Sequence, residues 1–274
     1  MPLQARSRLA YDRAGPRGNT PIVLIHAGVA DRRMWDSIWP GLTATHDVLR
    51  VDLRGYGEST IRPEGRWSPR ADIRSALAEA DIDRAHLVGC SYGAGICAEL
   101  ALERPELATS LLLAAPAGSL LTERTDDFAR FLDAERRALE HGDLDAAAEA
   151  NVVHWVDGPH RGPTDVPAMI REAVRKMQRL AFEITLPWPD SIWEAEDELR
   201  PEPSQRLQEI SVPMLVLCGD LDMDTVRRAA DLLAAEVPDV RRVDWPRVAH
   251  LPSMELPEDF VELTLGWVAE IDAR

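Results

Sequence analysis

A serine flanked by glycines is the clearest chemical signal in the chain. Residues 89–93 follow the pattern G-x-S-x-G, with Ser91 at its centre. An apolar run precedes the pattern and a helical pattern follows it, so Ser91 is predicted at a tight strand-to-helix turn. The glycines let the backbone pass closely, and the helix N-terminus directs free N–H groups toward the same place. Because such a pattern also occurs by chance in Gly-rich turns, its meaning depends on its partners.

A serine hydroxyl is a poor nucleophile at neutral pH, so it needs a base, and that base needs an orienting carboxylate. His250 is the best base among the seven histidines, because it alone follows the last predicted strand and precedes the closing helix. Three carboxylates compete to orient it, and Asp222 is favoured over Asp220 and Asp224. The chain order Ser91, Asp222, His250 is the order that a nucleophile elbow requires.

A tetrahedral oxyanion needs two hydrogen-bond donors. One is predicted to be the backbone N–H of Tyr92, directly after the serine. The other is expected from the loop after the apolar run Ile22–Ile25, and Gly28 is the favoured residue because a glycine lets the main chain approach a substrate. His26 in the same loop is interpreted as a structural histidine that holds the loop in place.

Short apolar runs alternate with helical patterns in both ends of the chain, which predicts an α/β fold with a mostly parallel, doubly wound sheet. The predicted strands are residues 22–25, 48–53, 85–88, 111–115, 213–218 and 240–245, with a weak early strand at 7–11. The proposed site residues directly follow such runs. Because ligand sites lie at the carboxyl ends of parallel strands, these residues are expected to share one edge of the sheet.

Residues 118–203 break this alternation and contain no short apolar strand run. They contain helical patterns at 126–141, 144–156 and 166–186, which predicts a helical insert. Its aromatic residues indicate an apolar pocket of small to medium size. The candidate pocket residues are Val29, Trp155, Trp188 and Leu251.

The composition disfavours several classes of partner. The 274 residues include 45% hydrophobic and 28% charged residues and carry a net charge of −16, which disfavours nucleic acid and anionic membranes as partners. The chain has neither an apolar stretch of spanning length nor a signal-like N-terminus, so a cytoplasmic location is expected. Cys90, Cys97 and Cys218 match no metal motif and are predicted to be buried free thiols.

Five segments together resemble the α/β-hydrolase fold superfamily. Residues 26–28 resemble its oxyanion loop H-G-x, and residues 89–93 match its nucleophile elbow. Residues 52–59 resemble the family's loop D-x-R-G-x-G-x-S. Residues 219–222 resemble its acid loop, G-x-x-D. Residues 249–258 resemble its histidine loop, G-H-x-x-x-x-E-x-P-E. The resemblance spans residues 7–117 and 205–272. Ala27 and Ala249 replace usual glycines, and neither change removes a catalytic group.

The resemblance implies a core domain formed by residues 1–117 and 204–274, with residues 118–203 as a helical cap inserted between sheet strands. It implies a serine hydrolase with Ser91, Asp222 and His250 as catalytic residues. The expected substrate is a small to medium, fairly apolar carboxylic ester, thioester or lactone, cleaved through an acyl-enzyme without a metal or organic cofactor. The expected assembly is a monomer or homodimer.

Two alternatives remain open from the sequence. The same three residues serve C–C bond hydrolases, enol-lactone hydrolases and cofactor-free perhydrolases. A non-catalytic ligand-binding member of the fold is the other alternative. A serine at the elbow, where an aspartate would be needed, disfavours haloalkane dehalogenase and epoxide hydrolase chemistry.

Overall fold

The computed structural model describes residues 9–274 and contains, within that range, one sheet of seven strands. The strands are β1 (Tyr11–Ala14), β2 (Ile22–Ile25), β3 (Val48–Val51), β4 (Ala85–Cys90), β5 (Ala108–Ala114), β6 (Met214–Gly219) and β7 (Val240–Trp245). Their order is β1-β3-β2-β4-β5-β6-β7, and every pair is parallel except β1 with β3. The predicted mostly parallel sheet is therefore confirmed.

The sheet is covered on both faces, which explains its continuous apolar strands. Every residue of β2 is buried, and alternate side chains enter two different cores. Ile22 and Leu24 pack in one hydrophobic cluster, whereas Val23 and Ile25 pack in the other. Strand β7 is less buried because it forms an edge of the sheet.

The α-helices within residues 9–274 are α1 (Trp39–Thr43), α2 (Pro69–Glu79), α3 (Tyr92–Glu103), α4 (Asp126–Glu140), α5 (Leu144–Asn151), α6 (Ala168–Thr185), α7 (Ser191–Glu194), α8 (Asp224–Glu236), α9 (Pro252–Glu255) and α10 (Pro257–Asp272). The helical patterns predicted at 126–141 and 166–186 correspond to α4 and α6, with small shifts at their ends. Ser68 caps α2 by accepting a hydrogen bond from the Ala71 N–H, and Pro69 occupies the first turn.

Two predicted elements need correction. The predicted helix 144–156 is instead α5 followed by a π-helix at Val152–Asp157, a distinction that apolar spacing does not reveal. The early strand was predicted at residues 7–11, but β1 is Tyr11–Ala14, which pairs with β3 from Tyr11 onward. The start of the predicted strand, including Ser7, lies outside the described residues.

The stretch 118–203, called the helical segment below, lies between β5 and β6. It contains α4, α5, the π-helix, α6 and α7, and an isolated bridge joins its Glu196 to Trp67.

The division of the chain into a core domain and a cap domain stays a prediction. So do the cytoplasmic location and the oligomeric state. Among residues 9–274, no helix is both long and apolar enough to span a membrane.

Charged side chains tie the end of the helical segment to α2 and α3. Arg70 on α2 forms an ion pair with Asp197 at 2.8 Å and approaches Glu99 on α3 at 3.6 Å. Burial raises the pKa of Glu196 to about 7, and repulsion from Glu99 and Glu198 adds to the effect, whereas Arg70 opposes it. Glu196 is therefore only partly ionised in the folded protein at neutral pH.

We expect the Glu196→Gln variant to stabilise the protein at pH 8 but not at pH 4. The folded state holds the Glu196 proton up to about pH 7, whereas an unperturbed glutamate loses it near 4.5. Wild-type stability should therefore fall as pH rises through that window, because the folded state binds more protons than the unfolded state. The measurement is Tm by circular dichroism at pH 4, 6 and 8. Glu194→Gln, on the exposed face of α7, is the control, and equal Tm changes for the two variants would contradict the expectation.

Candidate active site

Ser91 lies at the turn between β4 and α3 with a strained backbone. Its φ is 56° and its ψ is −116°, a region that residues with side chains rarely adopt. Such strain costs about 1–3 kcal/mol and persists only where surrounding contacts impose it. One of these contacts is the hydrogen bond from the Ser91 N–H to the Ala114 carbonyl at 2.9 Å.

The two glycines of the G-x-S-x-G pattern allow backbones to approach more closely than any side chain would permit. A Cβ at Gly93 would overlap the carbonyl oxygen of Ile25 and crowd that of His26. A Cβ at Gly89 would overlap the carbonyl group of Gly93. These contacts bring the start of α3 against the loop that follows β2.

The three residues proposed from the sequence form one continuous chain of hydrogen bonds. His250 Nε2 lies 2.7 Å from Ser91 Oγ, and His250 Nδ1 lies 2.7 Å from Asp222 Oδ2. Ser91 is 7% exposed and the other two side chains are fully buried. The Asp222 carboxylate accepts a hydrogen bond from Nδ1–H, which leaves the Nε2 lone pair free to accept the serine proton.

The competing carboxylates do not reach the histidine. Asp220 and Asp224 are both exposed, whereas Asp222 is buried and also accepts a hydrogen bond from the Met223 N–H at 2.7 Å. The sheet explains the difference, because β6 ends at Gly219 and the chain then turns back toward the His250 loop. The Leu221 N–H donates to the Val248 carbonyl at 3.0 Å, which joins the two loops.

The His250 loop is tied to the helical segment by a shielded ion pair. Glu255 Oε1 accepts a hydrogen bond from the Ala249 N–H at 3.0 Å, and Glu255 Oε2 pairs with Arg161. Arg161 also donates to the carbonyl oxygens of Val156 and Asp157 at the end of the π-helix. The helical segment and the histidine loop therefore share one anchoring carboxylate.

His26 holds the loop after β2, as the sequence predicts. Its Nε2 accepts a hydrogen bond from the Leu53 N–H at 2.9 Å, so its Nδ1 carries the proton and donates to the Ala27 carbonyl at 2.8 Å. Burial lowers the pKa of His26 and favours this neutral form. Asp52 accepts hydrogen bonds from the N–H groups of Arg32 and Glu58, each at 2.8 Å, which fixes the neighbouring loop.

Gly28 and Tyr92 lie next to each other beside Ser91. A Cβ at Gly28 would stand 3.5 Å from the Tyr92 Cβ, in ordinary contact. Tyr92 is the first residue of α3, where backbone N–H groups have no acceptor within the helix. Both residues line the same cavity as Ser91.

This cavity has a volume of about 440 Å³ and is mostly aromatic and apolar. Its lining residues are Gly28, Val29, Tyr56, Ser91, Tyr92, Ala117, Gly118, Leu121, Phe128, Phe131, Glu135, Asn151, Trp155, Gln178 and Phe182. The Trp155 ring lies 4.3 Å from the His250 ring and 5.2 Å from the Phe131 ring, measured between centroids. The π-helix thus places an indole directly against the histidine.

Two of the four predicted pocket residues line this cavity and two do not. Val29 and Trp155 line it. Trp188 instead stacks on Trp193 at 5.8 Å and packs against Gly55, so its ring is held away from Ser91. Leu251 is fully buried in the hydrophobic core beneath the loop.

Sequence reasoning missed several cavity residues that helical spacing links. Phe128, Phe131 and Glu135 follow one another at i, i+3 and i+7 on α4, which places them on one face. Gln178 and Phe182 are four residues apart on α6. The spacing was visible in the sequence, but it does not reveal which helical face covers the serine.

The three cysteines are free and buried, as predicted. Cys90, next to the serine, points inward, with its Sγ 3.5 Å from the His250 carbonyl oxygen. Burial raises the pKa of each thiol, so little reactive thiolate forms at neutral pH.

The site matches the pattern of a known family. The family profile described as the alpha/beta hydrolase fold matches residues 20–257. The chain belongs to the α/β-hydrolase fold family. It is an enzyme of the hydrolase class, and its relatives carry esterase and hydrolase names.

Individual relatives are similar over most of their length. A pimeloyl-[acyl-carrier protein] methyl ester esterase from Nitrosomonas europaea is 26% identical over 89% of this chain and 94% of its own. A putative carbamate hydrolase from Azorhizobium caulinodans is 28% identical, with 92% of each chain covered. Among solved structures, a hydrolase from Pseudomonas aeruginosa superposes with a TM-score of 0.75 at 25% identity, covering 95% and 94% of the two chains.

We expect Gly93→Ala to lower the free energy of unfolding by about 2 kcal/mol or more, because its Cβ would overlap backbone atoms that cannot move aside. Gly266→Ala is the matched control. Gly266 lies in α10 with open space around it, so alanine should raise stability by about 0.5–1 kcal/mol. Urea unfolding followed by circular dichroism measures both changes. A Gly93→Ala protein as stable as wild type would show that the close approach is not required.

We expect all three thiols to be unreactive in the folded protein, because they are buried and their pKa values are raised. Ellman's reagent should detect no thiol in the native state and three in guanidinium chloride. Iodoacetamide treatment should leave hydrolase activity unchanged. Rapid labelling of Cys90 in the native protein, with loss of activity, would contradict the conclusion that its thiol is buried and unreactive.

Proposed function

We propose that this hydrolase cleaves a carboxylic ester, thioester or lactone of a small to medium, fairly apolar substrate through an acyl-enzyme on Ser91. The observation that carries the proposal is the unbroken hydrogen-bond chain from Asp222 through His250 to Ser91, with 2.7 Å at each step. The aromatic cavity beside Ser91 suits the apolar part of such a substrate. An esterase and a carbamate hydrolase among the relatives support carbonyl hydrolysis.

The proposed reaction begins when His250 Nε2 takes the proton from Ser91 Oγ, which attacks the carbonyl carbon. The N–H groups of Gly28 and Tyr92 would stabilise the oxyanion that forms. His250 then gives the proton to the leaving oxygen or sulfur, and the carbonyl re-forms as the acyl-enzyme. His250 then takes a proton from a water molecule, which attacks the acyl carbon. When the bond to Ser91 Oγ breaks, His250 returns that proton to Oγ, which releases the acid and free Ser91.

Asp222 would keep the histidine in the working tautomer. Its carboxylate accepts a hydrogen bond from Nδ1–H and stabilises the imidazolium that forms during each transfer. The burial of both side chains strengthens this interaction, because water does not screen it. The chemistry needs no metal ion and no organic cofactor.

Replacement of Ser91 by alanine should remove hydrolysis of p-nitrophenyl acetate and p-nitrophenyl butyrate, because no other nucleophile occupies its position. A fluorophosphonate probe should label the wild type at Ser91, as located by peptide mass spectrometry, and leave the Ser91→Ala variant unlabelled. Retention of most activity in the variant would rule out Ser91 as the nucleophile. Absence of probe labelling in the wild type would favour a non-catalytic binding protein.

Asp222→Asn should lower kcat by about 10⁴-fold, the loss that the equivalent change causes in serine-protease triads, because asparagine favours the wrong histidine tautomer. Asp220→Asn is the matched control: it makes the same chemical change two positions away at an exposed residue. Steady-state kinetics on p-nitrophenyl butyrate measure both variants. Similar kcat values for the two would argue against Asp222 as the orienting carboxylate.

A further inference from the structure

Three polar side chains interrupt the aromatic lining of the Ser91 cavity. They are Glu135 on α4, Asn151 on α5 and Gln178 on α6, and all belong to the helical segment. We call these three residues the polar wall. The proposed ester hydrolysis uses none of them, so their presence in the cavity needs another explanation.

Within the part of the chain that the structure describes, the polar wall contains one buried acceptor without a hydrogen-bond donor and one carboxyl group without an ion pair. Within residues 9–274, Glu135 has no ion pair, and its hydrogen-bond partner is Asn151 Nδ2 at 2.6 Å. Gln178 is 6% exposed, and its Oε1 is buried without a hydrogen-bond partner in the described structure. Buried acceptors without donors are costly, and native proteins normally pair them. A ligand that brings donors or positive charge would satisfy both.

Glu135 is isolated from compensating charge. Its pKa is raised by burial, and the hydrogen bond from Asn151 offsets the rise only in part. Most other half-buried carboxylates here have an arginine partner, for example Glu149 with Arg171 and Arg175. The Glu135 carboxyl group in the cavity therefore lacks, among the described residues, the positively charged partner that most such carboxylates have.

The surrounding aromatic rings favour a cation over a neutral donor. Phe128, Phe131 and Trp155 line the cavity together with Glu135, and their rings lie 5.2–6.1 Å apart. Aromatic faces attract ammonium groups, most strongly where water is excluded. A neutral hydroxyl or amide would satisfy the acceptors but would gain nothing from the rings or from the overall charge of −16.

We propose that the polar wall binds an ammonium group carried by the substrate, so that the enzyme selects cationic esters over uncharged esters of the same shape. This inference rests on the proposed function, because it assigns a substrate class to the cavity beside Ser91. Glu135 would supply the countercharge, the Gln178 amide an adjacent acceptor, and the aromatic rings the remaining contact. Asn151 would hold the Glu135 carboxyl in position.

Two isosteric pairs of esters test the proposal on either side of the scissile bond. The acyl pair is p-nitrophenyl 4-(trimethylammonio)butanoate and p-nitrophenyl 5,5-dimethylhexanoate. The alcohol pair is butyrylcholine and 3,3-dimethylbutyl butyrate. The readout is the ratio of kcat/KM for the cationic ester to that for its neutral partner, measured at pH 8. We expect a ratio of about tenfold or more for at least one pair.

The Glu135→Gln variant should reduce that ratio by about tenfold, because it removes the countercharge and keeps the shape. Glu140→Gln is the matched control on the same helix, since Glu140 is exposed and pairs with Arg136. It should keep the wild-type ratio. A wild-type ratio near one for both pairs, or a ratio unchanged by Glu135→Gln, would overturn the proposal.

The design separates this proposal from the proposed function. Ser91-dependent hydrolysis of the neutral esters with ratios near one would refute the ammonium site alone. If none of the four esters is hydrolysed, calorimetric binding of each pair to the Ser91→Ala protein still decides the matter. Tenfold tighter binding of a cationic member would support the polar wall, and equal Kd values would refute it.

Discussion

The site depends on the close approach of two backbone segments, the start of α3 and the end of β2. The start of α3 lies against the end of β2, and only glycine at position 93 permits this contact. The approach imposes the positive φ of Ser91, which directs the serine side chain away from the sheet toward His250. It also brings the first N–H of α3 beside the loop that contains Gly28. One steric condition thus sets the position of the proposed nucleophile and of the proposed oxyanion donors.

Charged side chains join the helical segment to the loops that surround Ser91. Arg161 pairs with Glu255, which also holds the loop before His250. Asp127, at the start of α4, accepts a hydrogen bond from the Asp224 N–H at 2.8 Å, two residues after Asp222. The segment that forms most of the cavity is therefore bonded to the loops of both the base and the orienting carboxylate. Substitutions that break either of these bonds, at Arg161 or Asp127, would therefore disturb the loops that carry His250 and Asp222.

The sequence predicted the sheet and the hydrogen-bond chain well, because parallel strands buried on both faces have continuous apolar runs. Ser91, Asp222 and His250 each follow such a run, so their meeting at one sheet edge required only the topology. The pocket was harder to predict. Whether Trp188 or Glu135 lines the cavity depends on how the helices of the helical segment rotate and cross, and the apolar spacing of a single sequence does not reveal this.

The π-helix Val152–Asp157 controls which side chain meets the histidine. It continues directly from α5, and its wider turn corresponds to one extra residue in an otherwise α-helical path. Each residue of an α-helix turns the chain by about 100°, so a one-residue insertion or deletion before Trp155 that the helix did not absorb would turn the indole away from the His250 ring. Insertion or deletion of a single codon in this stretch could therefore change the side chain that lines the cavity beside His250. A different side chain would then pack against His250, with no change in the sequence at Ser91, Asp222 or His250.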